Sequence, residues 1–182
     1  MATGVVTKKN LWPIIKANLS LAKGSYAAVG FPGDSAKSKK VHPQSLGEGK
    51  SRKKTTGLTN VDIAIINEFG TPAALDGPGI PSRPFMRQTF GYDRRKKFQD
   101  EGAKLLGMIA KGEMSTRIAL GRLGTMGSSA VKDEITHPKP PFLPNAPYTV
   151  AKKKSSHPLI DTGAMRAAVT HKVRMKSGIG AK

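Results

Sequence analysis

Glu68 is the acid best placed for a specific job. It sits beside the apolar residues Ile66 and Phe69, and Arg83 and Arg87 follow one loop later. A carboxylate held against apolar neighbours needs a cation, so the spacing predicts a Glu68–Arg83 ion pair that pins the loop to the preceding segment. Other reactive side chains do not assemble into catalytic sets. His42, His137, His157 and His171 stand at no metal-ligand spacing with one another or with a carboxylate pair. Ser155-Ser156-His157 puts hydroxyls near an imidazole in sequence only. Asp133 and Glu134 are adjacent, so on a helix they point apart and read as a solvated face. Asp161 is better explained as a helix cap than as a general base. No glycine-rich loop ends in Lys-Ser or Lys-Thr to cradle a phosphate. With no cysteine there is neither a disulfide nor a thiolate metal site. The reading is a non-enzymatic protein that uses no cofactor and no metal.

Charge is the second source of chemistry. Thirty-one Lys and Arg against twelve Asp and Glu leave a net +19 over 182 residues. Such a chain favours anionic partners, either DNA or acidic protein faces. The basic residues cluster. Lys37, Lys39, Lys40, Lys50, Arg52, Lys53 and Lys54 lie in a Gly- and Ser-rich stretch that is poor in apolar residues, and Lys152, Lys153 and Lys154 form a run. These ten are the candidate contacts to DNA or to acidic partners. Ser35–Gly57 holds no aromatic residue to stack on bases, which argues against single-strand binding. A third basic group, Arg94 to Lys97, stands at a predicted helix start, where the helix dipole disfavours cations and an anionic partner would compensate.

The elements that position these residues follow from periodicity and punctuation. Asn10–Lys23 reads as a core-facing amphipathic helix with Asn10 as N-cap and Pro13 in the first turn. Lys16, Asn18 and Ser20 interrupt its apolar run, so it is no membrane span. Ser25–Phe31 reads as a strand closed by the turn Pro32-Gly33-Asp34. Residues 35–57 read as a solvated flexible loop, as a basic arm that orders against DNA or an acidic ring, or as a hairpin whose strands form only in an assembly. Asn60–Phe69 fits either strand or helix, and a cap at Asn60 with Gly70 just past the end favours the helix. A loop over Thr71–Ser82 leads to Arg83-Pro84-Phe85-Met86, where Phe85 and Phe90 return the chain to the core. Asp93–Lys111, capped by Asp93, and a helix opening at Ser115 or Thr116 and running to Thr136 follow. Gly121, Gly124 and Gly127 recur on that second helix and imply a close-packed neighbour, within the chain or in another subunit. Pro138–Pro147 is a proline-stiffened extended arm. Asp161 or Thr162 caps a turn over Gly163–Arg166, and Ala167–Met175 reads as a strand with Val169, His171 and Val173 on one face. Residues 1–176 thus make one domain, and 177–182 a flexible tail. The fold class is α+β: a small, mainly antiparallel sheet with helices packed on one face, plus extended arms.

Two blocks carry a family resemblance. The first is Asn67-Glu68-Phe69-Gly70-Thr71 followed by Ile80-Pro81-Ser82-Arg83-Pro84-Phe85-Met86. The second is Asn145-Ala146-Pro147-Tyr148-Thr149, Lys152-Lys153, and then Pro158-Leu159-Ile160-Asp161-Thr162-Gly163 with Met165-Arg166. In this order, with helices between them, they resemble the tail-completion or neck proteins of tailed bacteriophages over Val61–Val173. The resemblance implies a structural virion protein, made in the host cytoplasm, that forms a ring of six or twelve copies. Such a ring would complete the tail and join it to the head around the DNA channel, with other neck and tail proteins as partners and no membrane contact. Glu68, Phe69, Gly70, Arg83, Pro84, Phe85, Asp161, Thr162 and Gly163 are its motif residues. The rival reading is a free, basic nucleic-acid-binding protein.

Overall fold

The computed structural model describes residues 10–32, 58–73, 79–153 and 155–176. A long helix, α5 (Thr116–Thr136), lies against one face of a two-stranded antiparallel sheet. The strands, β1 (Tyr26–Gly30) and β2 (Thr170–Arg174), are far apart in sequence and pair from Tyr26↔Arg174 to Gly30↔Thr170. Alternation selects the inner face: Val29 and His171 pair there, while Tyr26, Ala28, Thr170, Lys172 and Arg174 are exposed. The remaining helices are α1 (Trp12–Ala22), α2 (Asn60–Phe69), α3 (Phe85–Phe90), α4 (Tyr92–Ala110), α6 (Pro147–Lys153) and α7 (Ala164–Ala168). The class is α+β, as the sequence leads one to expect.

The glycines of α5 let sheet and helix approach. A Cβ on Gly124 would fall 2.6 Å from His171 Cγ and closer still to its Cδ2, and one on Gly127 would fall 2.9 Å from Val29 Cγ2. Both glycines therefore serve packing within the chain. Gly121 has open space around it. Gly121→Ala is expected to stabilise the protein by up to about 1 kcal/mol through helix propensity. Gly124→Ala is expected to destabilise it by about 1–3 kcal/mol, because the His171 ring must move. Urea unfolding of the two variants checks the opposite signs.

Two apolar clusters form the core. One gathers Ala64 of α2, Phe85 of α3, Val131 and Ile135 of α5, Leu159, Met165 of α7 and Val169; Phe85, Val131, Ile135 and Val169 are fully buried. The other joins Leu105, Ile109, Met114 and Ala119, with Leu19 of α1 against it. Phe85 is an anchor as expected, whereas Phe90 is partly exposed and tilts against the Phe98 ring at 5.3 Å.

Several boundaries move for local reasons. Helix α1 faces the second cluster, as expected, but buries no residue completely. It is held by Leu19 and by a hydrogen bond from Thr116 Oγ1 to the Asn18 carbonyl (2.6 Å). Asn10 Oδ1 does accept from the Trp12 amide, at 3.0 Å. Helix α2 is capped by Thr59 rather than Asn60: Thr59 Oγ1 accepts from Asp62 N (3.2 Å) and Asp62 Oδ2 from Thr59 N (2.8 Å), a reciprocal capping box. The Thr59 hydroxyl and amide together hold the Asp62 carboxyl below its ordinary value. Helix α4 starts at Tyr92 with Gly91 as its N-cap, instead of being capped by Asp93. The Pro138–Pro147 arm ends in α6, where Pro147 occupies the first position and its missing N–H costs nothing. After it, α7 is a true helical turn, and β2 begins at Thr170 rather than Ala167. The basic stretch from Ser35 to Gly57 and the tail 177–182 lie outside the described residues.

Candidate functional site

The two blocks of the family resemblance fold against each other. Helix α2 ends at Gly70, whose φ of +75° is the left-handed region that favours glycine. A Cβ there would fall 2.6 Å from the Ile80 carbonyl oxygen. The reversal sends the chain back beside its own helix, and Arg83 N donates to the Asn67 carbonyl at 2.7 Å. Glu68 in the last turn of α2 is thereby set against the start of α3.

Glu68 does not pair with Arg83. Its buried carboxylate accepts from the backbone N–H groups of Met86 (2.9 Å) and Arg87 (3.1 Å), and from Arg87 Nε (3.0 Å). It thus caps α3 from outside the helix, supplying the acceptors that Pro84, at the N-cap position, has no side chain to provide. Arg87 completes the tie: Nη2 donates to the Glu68 carbonyl at 2.7 Å, and its guanidinium lies over the Phe69 ring at 5.2 Å. Arg87 was available at the right distance in sequence; the geometry of α3 selects it, because the capped N–H and the Arg87 side chain come from the same turn.

Arg83 is buried at 4% exposure and reaches the other block. Its Nε donates to the Leu143 carbonyl (3.2 Å), and Nη2 to Asn145 Oδ1 (3.1 Å) and the Pro144 carbonyl (3.5 Å). Asn145 Nδ2 passes the link on to the His157 carbonyl at 3.1 Å, where Lys153 Nζ also donates (3.2 Å). The His157 ring closes on α5 through Nε2 and the Thr136 carbonyl, 2.8 Å apart. The Pro138–Pro147 arm is therefore tied to its own chain through Leu143, Pro144 and Asn145. Burial pushes the pKa of the Arg83 guanidinium below its ordinary value.

Between the blocks lies a cleft of about 350 Å³. Ile63 and Ile66 of α2, Ile80, Leu159 and Met165 give it apolar walls, and Arg83, Lys153 and Asp161 also line it. Gly163, at φ +77°, occupies the N-cap position of α7, and the Thr162 hydroxyl just before it accepts from the first helical N–H, Ala164 N, at 3.4 Å, one of the two acceptors the sequence offers for this turn.

The basic candidates separate. Lys153 is half-buried, with its ammonium on the His157 and Pro158 carbonyls. Lys37, Lys39, Lys40, Lys50, Arg52, Lys53, Lys54 and Lys154 lie outside the described residues, as does the side chain of Lys152. Arg94 is paired with Glu134, which is 1% exposed and not part of a solvated face. Glu134 also accepts from the Lys139 amide at 3.1 Å. Arg95, Lys96 and Lys97 remain exposed.

Among the described residues, no group of three acids and histidines is placed to hold a metal ion, and no helix is long and apolar enough to cross a membrane. Comparison with protein-family models, curated proteins and solved structures finds no match to this chain. The functional reading therefore rests on the site itself and on the two sequence blocks that build it.

Proposed function

We propose that the chain is a structural subunit of the neck of a tailed-phage virion, closing into a ring that completes the tail and joins it to the head around the DNA channel. The observation that carries this reading is the convergence of the two resembling blocks. Glu68 ties α2 to the start of α3, and Arg83 and Asn145 tie that segment to the second block, so the motif residues of both blocks act as scaffold. Large apolar side chains left in solvent add to it. Trp12, Phe69, Leu143 and Tyr148 are each more than 60% exposed. Single exposed apolar residues are ordinary, but several large ones on a chain of this charge suit a subunit completed by neighbours. Head-to-tail contacts that close generate such rings.

The net charge of +19 favours a second reading, a free nucleic-acid-binding protein. One pair of measurements separates the two. Virions lacking this protein, imaged by negative stain, are expected to fall into filled heads and separate tails. Light scattering of the purified chain, alone and with its neck partners, is expected to find a ring-sized particle. A monomer that binds duplex DNA with steeply salt-dependent affinity, together with intact virions in its absence, would establish the rival.

A further inference from the structure

We infer that the cleft between α2 and the Asn145–Met165 segment is a docking site for an acidic side chain flanked by apolar residues, carried on an extended segment of a different protein, with Arg83 as its anchor. The inference rests on the cleft and on Arg83, and it stands whether or not the chain forms a ring.

Arg83 is an almost fully buried cation, and none of its hydrogen-bond acceptors carries a charge: two are backbone carbonyls and one is the amide oxygen of Asn145. Its Nη1 makes none of these bonds. The guanidinium fork presents five donors suited to a two-pronged grip on a carboxylate, and only Nε and Nη2 are engaged. A buried charge without a counter-ion is costly, and an incoming carboxylate relieves that cost where the surroundings are already dry. The second cation of the wall, Lys153, donates to the His157 and Pro158 carbonyls, and among the described residues that line the cleft Asp161 is the one acid against two cations. The volume of about 350 Å³ lies within the roughly 300–1,000 Å³ of ligand clefts, and the isoleucine, leucine and methionine walls fit aliphatic flanks.

Charge also chooses the source. A second copy brings 31 basic residues against 12 acids. Among its described acids, Asp62, Glu68 and Glu134 are already engaged in a cap, a helix start and an ion pair. An acidic partner of another kind complements the cleft and the chain around it.

The test uses the full-length protein labelled at its methionine methyl groups and the blocked peptides acetyl-Leu-Glu-Leu-amide and acetyl-Leu-Gln-Leu-amide. The glutamate peptide is expected to shift the Met165 methyl signal to saturation and to bind at least about tenfold more tightly than its glutamine twin. Arg83→Gln is expected to erase the difference. Should that variant not fold, the two peptides on the unaltered protein still decide. Equal affinities, or saturation that leaves Met165 unmoved, would overturn the proposal. So would binding of hexanoate with no preference between the peptides, since that describes a pocket for a free small carboxylate instead.

Discussion

Glu68→Ala is expected to destabilise the fold by about 2–4 kcal/mol, since two backbone donors at a helix start lose their acceptor at about 1–3 kcal/mol each and water recovers part of the loss. The figure follows from what the carboxylate touches. Two of its three partners are the Met86 and Arg87 amides at the start of α3, where Pro84 offers no cap of its own. Phe85, fully buried in the larger core, begins that helix, so loosening the cap loosens a core anchor. The third partner, Arg87, has a side chain 58% exposed, and its ion pair alone is worth only about 0–1 kcal/mol. Glu68→Gln keeps an acceptor but gives up the charge, and its cost is expected to fall between the two. Urea unfolding of Glu68→Gln, Arg87→Met, Arg83→Met and the two double variants tests the partner assignment. Coupling between positions 68 and 87 is expected to exceed coupling between 68 and 83. The reverse order would restore the ion pair that the sequence suggested.

How far the sequence could be read depended on whether a residue's partner was local. Gly70 as a helix stop, the sheet face carrying Val169, His171 and Val173, and Phe85 as an anchor all follow from near neighbours and periodicity. The choice between Arg83 and Arg87 did not, because it turns on helix α3, a single turn and a half whose start is stabilised by a side chain from elsewhere. The glycines of α5 recur at regular spacing, yet only Gly124 and Gly127 meet the sheet, and no local rule says where a strand from the far end of the chain will cross. Proline-rich sequence suggested an extended arm through Pro147, whereas the first position of α6 accepts that proline freely. At the cleft, the residue types were visible. That Arg83 would be buried among neutral acceptors required two blocks some sixty residues apart to meet. The burial of Glu134 was legible in its periodicity, though not in its pairing with Asp133: with Val131 and Ile135 it shares an i, i+3, i+4 stripe, which marks a buried face.

The Glu134–Arg94 pair carries the largest effect expected of any single substitution here. Glu134 is 1% exposed, and its carboxylate meets the Arg94 guanidinium and the Lys139 amide. Arg94 Nη2 also donates to the Lys139 carbonyl at 3.1 Å, so one ion pair closes the end of α5 onto the start of α4. Arg94→Met removes the one cation bonded to the buried Glu134 carboxylate among the described residues. The expected loss is about 3–5 kcal/mol, towards the lower end because the Arg94 side chain is about a third exposed and water can reach the gap. Glu134→Gln is expected to cost less, since the arginine left behind can turn to solvent. The double variant Arg94→Met/Glu134→Met is expected to recover most of the loss, because two apolar chains replace a pair whose desolvation was itself unfavourable. Thermal and urea unfolding of the three proteins measures these steps. The comparison also separates stability from binding at this helix start. Were Arg94 there to receive an outside anion, Arg94→Met would weaken that binding and leave the fold untouched. With Glu134 as its partner, the fold should suffer first, and any contact with DNA or an acidic protein at this end of α4 falls to the exposed Arg95, Lys96 and Lys97.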